Sequence, residues 1–141
     1  MSSIEERLRR LEDRDAIHQL FVDYGRYLDA GDFAAYAGLF AEDGEVKLGP
    51  MGRASGRDEI RELMTRTLTD QLGTSFHIIS SPQVVLDGDS ATASTMWTVI
   101  HHAPSGPQVT MVGRHEDVLV RDPDGRWRIR LRRGLLDLPR P

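Results

Sequence analysis

The chain has 141 residues, with 18 basic and 22 acidic side chains and a formal net charge of −4. This length predicts one domain, residues 1–141, large enough to bury a substantial core. The acidic balance argues against a nucleic-acid-binding protein, which would need a basic face. The sequence contains no cysteine, which excludes disulfide bonds and thiol chemistry.

The start of the chain is typical of a cytoplasmic protein. The segment MSSIEERLRRLED is charged and lacks the apolar run of a secretory signal peptide. No stretch of the sequence approaches the ~18 consecutive apolar residues of a membrane-spanning helix. We therefore expect a cytoplasmic location and no membrane partner.

The first thirty residues have the spacing of amphipathic helices. A short helix is predicted over 4–12, and its apolar side is made by Ile4, Leu8 and Leu11. Asp13 or Asp15 can cap a fresh start, so we allow a kink before the main helix over about 15–30. The apolar face of this main helix is made by Ile17, Leu20, Phe21, Tyr24 and Leu28.

A carboxylate stands at the end of that main helix. Asp29 follows the last apolar residue and precedes Gly31, a typical helix-stop residue. Asp32 already provides an N-cap for the next helix, predicted over about 32–41, which leaves Asp29 without a structural role. A carboxylate at the end of a buried helix face can look into a cavity, and we expect Asp29 to do so and to meet His77 there.

The rest of the chain is predicted as a third helix followed by strands. That helix extends over about 57–72 and ends at Gly73. Alternation, β-branched residues and turn residues predict strands over 45–48, 75–80, 83–86, 91–102, 109–121 and 127–133, with a tail at 135–138. Helices followed by an antiparallel meander predict an α+β fold, with the helices packed on one face of a curved sheet. Such a sheet, covered by helices, makes a pocket for a small ligand.

Four motifs carry a resemblance to a known family. They are I-x-x-L-x-x-x-Y-x-x-x-L-D-x-G-D-F from Ile17 to Phe33, L-F-A-E-D-G from Leu39, G-R-D-E-I from Gly56 and D-G-R-W-R-I from Asp124. Together they cover nearly the whole chain, which resembles the SnoaL-like branch of the nuclear transport factor two-like superfamily. The resemblance implies a cone-shaped α+β barrel with a strongly curved antiparallel sheet, a deep apolar pocket and a homodimer. This superfamily contains dehydratases, isomerases, cyclases, hydrolases and non-enzymes.

Within that branch, the motifs are most similar to those of three lyases: scytalone dehydratase, hexachlorocyclohexane dehydrochlorinase and bile-acid 7α-dehydratase. These enzymes share an Asp–His dyad, which the resemblance places at Asp29 and His77. The bile-acid enzyme also has a tyrosine that falls on Tyr24. The dehydrochlorinase and the bile-acid enzyme have an arginine that falls on Arg132. Scytalone dehydratase uses a second histidine, for which His115 is the nearest candidate.

The residues by themselves leave alternatives open at these positions. Tyr24 is equally well explained as a core residue with a polar tip. Arg132 belongs by alternation to the solvated face of its strand, and only a bulge near Arg132–Gly134, which Gly134 favours, would turn it inward. His115 shares a strand face with Asp117, which makes it a candidate polar group in the pocket.

A histidine oriented by a carboxylate is suited to proton abstraction. The carboxylate fixes the tautomer and stabilises the imidazolium, so the second ring nitrogen can act as a base near neutral pH. We therefore predict a cofactor-independent lyase of dehydratase type, or an isomerase, that acts on a hydrophobic cyclic small molecule. The catalytic candidates are Asp29, His77, Tyr24, Arg132 and His115. A non-catalytic binding module of the same fold and a purely structural role are the alternatives.

No metal or cofactor site is expected from the sequence. It has no pair of histidines on one face with a third ligand, no Gly-rich phosphate loop and no serine-nucleophile motif. His101 and His102 are adjacent in a strand, so at most one of them faces the pocket. His18 is expected at the surface. The core or pocket lining is predicted to include Phe21, Phe40, Met64, Met96, Trp97 and Met111.

Overall fold

The structure is a computed structural model that describes residues 3–140. Met1, Ser2 and Pro141 lie outside the described residues. The domain was predicted over 1–141, so its two ends also lie outside the described residues. The helices are α1 (Ile4–Ala30), α2 (Phe33–Gly38) and α3 (Arg57–Leu68). The strands are β1 (Phe40–Lys47), β2 (Arg53–Ser55), β3 (Ser75–Asp87), β4 (Ser90–Ala103), β5 (Gly106–Arg121) and β6 (Trp127–Leu138). Among these described helices, none is long and apolar enough to span a membrane.

The segment Ile4–Ala30 forms one helix rather than two. α1 begins after its N-cap, Ser3, and continues unbroken to its end. The separate short helix predicted over 4–12 was therefore wrong. Asp13 does not start a new helix, because its carboxylate accepts hydrogen bonds from the side chains of Arg121 and Trp127 instead.

The next two helices are shorter than the sequence predicted. Asp32 caps α2 as expected, by accepting a hydrogen bond from the backbone N–H of Ala35. The helix nevertheless ends at Gly38, because β1 begins pairing with β6 at Phe40. α3 ends at Leu68, where a 3-10 turn replaces its predicted last turn.

The six strands form one curved sheet in the order β2-β1-β6-β5-β4-β3. All neighbours are antiparallel except β1 and β6, which run parallel, so the sheet is mixed rather than purely antiparallel as predicted. β1 follows α2 directly and joins the last strand of the chain without a hairpin, so no tight turn imposes an antiparallel direction. The strands predicted over 75–80 and 83–86 are one strand, with an irregularity between Ser80 and Gln83.

The helices cover the inner face of the sheet, and the core lies between them. This arrangement confirms the α+β fold with helices packed on one side of a curved sheet. The apolar face predicted for the main helix is buried at all five positions: Ile17, Leu20, Phe21, Tyr24 and Leu28. Met96 is an exception to the predicted core, because it alternates with Trp97 in β4 and is exposed on the outer face.

Candidate active site

A cavity of about 400 Å³ lies between the helices and the inner face of the sheet. Its lining is mainly apolar, with a small number of polar side chains. The apolar lining includes Leu28, Leu48, Met64, Trp97, Met111 and Leu136. The polar and tyrosine side chains in the lining are Tyr24, Tyr36, Thr67, Gln71, His77 and His115. This composition is typical of a site for a small molecule with an apolar body and a few polar groups.

Asp29 and His77 form a hydrogen-bonded pair in the wall of this cavity. The end of α1 supplies Asp29, and the start of β3 supplies His77. His77 Nδ1 lies 2.8 Å from Asp29 Oδ1, and the backbone N–H of His77 lies 3.1 and 3.2 Å from the two carboxylate oxygens. Because a carboxylate only accepts, Nδ1 carries a proton and Nε2 of the neutral ring is the free base.

The pair lies between two spaces, the cavity and a groove. His77 lines the cavity, whereas Asp29 lines a separate groove between α1 and β3. His77 also lines that groove, so its ring lies in the wall between the two spaces. Asp29 is therefore not part of the lining of the apolar cavity, but it looks into the groove and meets His77 there. Its carboxylate holds the imidazole in this orientation through the hydrogen bond at Nδ1.

A β-bulge turns Arg132 toward the interior. The pairing of β5 with β6 shifts register between Val118 and Leu119, which leaves Arg130 as an extra residue in β6. One extra residue reverses the alternation beyond it, so Arg132 joins the buried face. The sequence allowed this orientation only through a bulge near Arg132–Gly134, and the bulge occurs at Arg130, two residues before that range.

Arg132 forms a buried ion pair with Asp117. Its Nε and Nη2 atoms donate hydrogen bonds of 2.9 and 2.8 Å to the two carboxylate oxygens, and both side chains are 0% exposed. Burial lowers the pKa of Arg132, but Asp117 outweighs this effect, so the pKa lies above its usual value and the guanidinium stays charged. Its Cζ atom lies 4.2 Å from the centroid of the Tyr24 ring, a cation–π contact. Arg132 therefore places a positive charge behind Tyr24, a residue of the cavity lining.

Two tyrosines stand between that guanidinium and the cavity. Tyr24 and Tyr36 both line the cavity, with ring centroids 5.8 Å apart. Burial raises the pKa of each hydroxyl, and the charge of Arg132 opposes this effect only in part. Both phenols therefore stay protonated and can donate a hydrogen bond to a ligand oxygen. Tyr36 was not predicted as a site residue from the sequence, although a residue with a polar tip on the apolar side of α2 is a usable signal.

His115 contributes a neutral imidazole to the same wall. Its ring meets the Tyr24 ring edge-on, with centroids 5.3 Å apart. Burial first, and then the charges of Arg132 and His77, lower the pKa of His115 well below its usual value. Its Nδ1 atom has no hydrogen-bond partner among the described residues. His115 shares the inner face of β5 with Asp117, as the alternation predicted.

Acid is expected to destabilise the fold through His115. In the unfolded chain this residue takes up a proton below its ordinary pKa, whereas the folded chain resists protonation until a lower pH. The neutral form of His115 therefore costs no stability at neutral pH. As the pH falls below about 6.5, the free energy of unfolding decreases by about 1.4 kcal/mol per pH unit until His115 is protonated in the folded chain as well. We expect His115→Phe to flatten the pH dependence of the free energy of unfolding in this range, measured by urea unfolding. An unchanged slope would contradict the buried neutral state.

The remaining histidines lie outside the cavity lining. His101 Nδ1 lies 2.6 Å from the Thr110 hydroxyl, and its Nε2 lies 3.2 Å from Gln71 Oε1. His102 and His18 are exposed, as expected for His18. Across residues 3–140, no group of three or more His, Cys, Asp or Glu side chains is arranged to hold a metal ion.

The architecture and the cavity define the class to which this protein belongs. A curved sheet that wraps around helices and encloses a cavity is the fold of nuclear transport factor two-like proteins. Residues 9–133 match the profile of the SnoaL-like domain, so the chain belongs to the SnoaL-like domain family. Among curated proteins, none matches this sequence.

Several solved structures share this fold. An NTF2-like protein with a cystatin-like fold from Novosphingobium aromaticivorans is 31% identical, with 99% of this chain and 94% of that chain covered and a TM-score of 0.87. ActVI-ORFA from Streptomyces coelicolor is 27% identical, with 88% and 96% covered and a TM-score of 0.77. A protein from Catenulispora acidiphila in complex with S-DNPA is 22% identical, with 90% and 95% covered and a TM-score of 0.78, and it shows likeness of fold alone.

Proposed function

We propose that this protein is a cofactor-independent lyase of dehydratase type, or an isomerase, that abstracts a proton from a hydrophobic cyclic small molecule. The observation that carries the proposal is the pairing of His77 Nδ1 with Asp29 Oδ1 at 2.8 Å, which makes Nε2 the basic nitrogen of a ring that lines an apolar cavity. Membership of a family that includes dehydratases and cyclases supports it. Elimination of water is the favoured reaction, ahead of isomerisation or cyclisation through the same proton abstraction.

In the proposed reaction, Nε2 of His77 removes a proton from a ring carbon beside a carbonyl group. Asp29 stabilises the imidazolium that forms, and a base placed in this way contributes about 10²–10⁴-fold to the rate. Tyr24 donates a hydrogen bond to the carbonyl oxygen as it becomes an enolate, and the charge of Arg132 behind the ring favours that negative charge. His115 binds the leaving hydroxyl group. The imidazolium then returns its proton to that group, which sits on the β-carbon. As this C–O bond breaks and water departs, the electron pair of the enolate forms the carbon–carbon double bond and the carbonyl is restored.

The experiment that tests the proposal is hydrogen–deuterium exchange at carbon. 1-Tetralone is a two-ring ketone with exchangeable protons beside its carbonyl group. Its proton NMR signals are followed in D₂O with and without the protein. The proposal expects loss of the signals beside the carbonyl at a rate proportional to protein concentration. Exchange at the protein-free rate would contradict it.

A non-catalytic binding module of the same fold is the second candidate function. The observation that favours it is the small number of polar groups in a cavity that can still enclose a ring-bearing ligand. The binding module would be supported if the protein binds 1-tetralone but neither accelerates its exchange nor turns over related hydroxy compounds. The ligand expected in both cases is a hydrophobic small molecule.

We also propose that the outer face of the sheet joins two copies of the chain. Exposed apolar side chains cluster there, including Phe76, Ile78 and Met96. Such a patch marks an interaction surface in a protein of this size. We expect the wild-type mass in solution to be twice the chain mass of 15.9 kDa, measured by light scattering after size-exclusion chromatography. Phe76→Asp is expected to give the monomer mass.

The matched control for this dimer prediction is Arg61→Asp, which places the same carboxylate on the exposed side of α3. It is expected to keep the dimer mass. A monomeric wild type, or a Phe76→Asp variant that remains dimeric, would contradict the proposed sheet interface.

A further inference from the structure

The first turns of α1 carry an apolar stripe on the side of the helix that faces away from the core. Ile4, Leu8 and Leu11, named here the α1 stripe, are 80%, 54% and 63% exposed. Ile17, which is fully buried in the core, comes nine residues after Leu8. Nine residues correspond to two and a half turns, so the buried face and the stripe lie on opposite sides of the helix. The stripe is therefore not a continuation of the core face.

This part of α1 extends beyond the packed body of the protein. All of residues 3–12 are exposed, and the ion pair between Arg9 and Asp89, at 3.9 Å, is exposed as well. Burial of exposed Leu and Ile side chains removes apolar surface from water and so stabilises an assembly. Coverage of the α1 stripe by a further surface is consequently favourable.

Charged residues of opposite sign flank the α1 stripe. The stripe follows the d, a and d positions of a heptad repeat, with Leu8 at position a. Glu5 and Glu12 then occupy the e positions along one side. Arg7 and Arg14 occupy the g positions along the other side. All four charged side chains lie on exposed residues.

This distribution of charge favours a second copy of α1 as the partner and a parallel direction of the two helices. In a parallel pair of identical helices, position g of one helix faces position e of the next heptad of the other, so Arg7 meets Glu12 of the partner subunit. In an antiparallel pair, g faces g and e faces e, which would bring like charges together. We propose that the α1 stripe pairs with the α1 stripe of a second copy of this chain, as a short parallel coiled coil.

The contact is short and therefore reversible. Stable coiled coils extend over three to four heptads, whereas the next a and d positions here are Asp15 and His18, which are polar. Two helices with three apolar residues each bury less than the roughly 1,000 Å² of a stable interface. Pairing of the α1 stripe thus adds a weak contact between copies and does not depend on the proposed sheet interface.

Cysteine cross-linking tests this pairing directly, because the natural chain has no cysteine. Leu8→Cys places a thiol at position a, where the two copies of a parallel pair face each other within the roughly 4.4–6.8 Å Cα separation of a disulfide. Glu6→Cys is the matched control, because position f points away from the pair. Under mild oxidation, Leu8→Cys is expected to form the dimeric disulfide about tenfold faster or more than Glu6→Cys, since pairing raises the effective thiol concentration. Leu11→Cys, at position d, is expected to behave like Leu8→Cys.

Charge reversal tests the orientation. In the Leu8→Cys background, Arg7→Glu is expected to slow cross-linking, because it faces Glu12 of the partner subunit. Addition of Glu12→Arg to this variant is expected to restore the original rate, because the pair is then reversed in sign. Equal cross-linking of Leu8→Cys and Glu6→Cys would overturn the proposal, and so would cross-linking that Arg7→Glu accelerates.

Discussion

Replacement of His77 by glutamine is expected to lower the rate of carbon-bound deuterium exchange, and of elimination, by about 10²–10⁴-fold. Glutamine retains a side chain of similar reach but offers no base near neutral pH. The affinity for 1-tetralone is expected to change little, because the apolar lining of the cavity is untouched. The rate is measured by proton NMR in D₂O, and the affinity by calorimetric titration.

Two further variants separate catalysis from a general effect on the fold. His101→Gln removes a histidine that does not line the cavity, and it is expected to retain the wild-type rate. Asp29→Asn keeps a side chain of the same shape behind His77 but removes the negative charge that stabilises the imidazolium. It is expected to lower the rate while leaving affinity for the ketone intact. A His77→Gln variant with undiminished exchange would remove the base from the proposed mechanism.

Replacement of Asp117 by asparagine is expected to lower the free energy of unfolding by about 3–5 kcal/mol, because it leaves the buried charge of Arg132 without its partner. Both side chains are 0% exposed, and Arg132 directs two of its donors at Asp117. No solvent reaches the guanidinium to replace that interaction. The change is measured by urea unfolding at neutral pH.

The exposed ion pair between Arg114 and Asp137 provides the matched control for this prediction. Its geometry is similar, with Arg114 Nε at 2.9 Å from the carboxylate, but both side chains are open to solvent. Asp137→Asn is therefore expected to leave the unfolding midpoint nearly unchanged. The double variant Asp117→Leu with Arg132→Met removes both buried charges and is expected to recover most of the loss. An Asp117→Asn variant as stable as wild type would contradict the prediction, because it would mean that the guanidinium of Arg132 does not depend on Asp117 as its partner.

The elements predicted most accurately are those whose signal is local. The apolar face of α1, the cap at Asp32 and the long strands β4 and β5 depend on side-chain periodicity and on turn residues within a few positions. The helix predicted over 4–12 failed because Asp13 had a distant partner in Arg121, which no local pattern contains. The end of α2 failed for a similar reason, since pairing with β6 outcompeted the helix at Phe40.

The residues of the candidate site also fall into those that the sequence predicted and those that depend on distant segments. The motifs nominated Asp29 and His77, which the fold brings to 2.8 Å across 48 positions of sequence. Alternation placed His115 correctly on the inner face of its strand. The alternation of side chains could not predict the orientation of Arg132, because the position of a bulge depends on the register against the neighbouring strand. Tyr36 was overlooked as a site residue because its ring alone is sufficient to explain its burial.

The sequence by itself determined the class of fold and the family, and it nominated Asp29 and His77 as candidates, because hydrophobic periodicity, caps and short motifs are properties of neighbouring residues. Only the tertiary structure decided that β1 runs parallel to β6, that Asp29 stands behind His77 and that Arg132 is buried against Asp117. Each of these depends on which distant segments pair and in what register. A register shift of one residue exchanges the two faces of a strand, so such choices follow from the packing of the whole sheet.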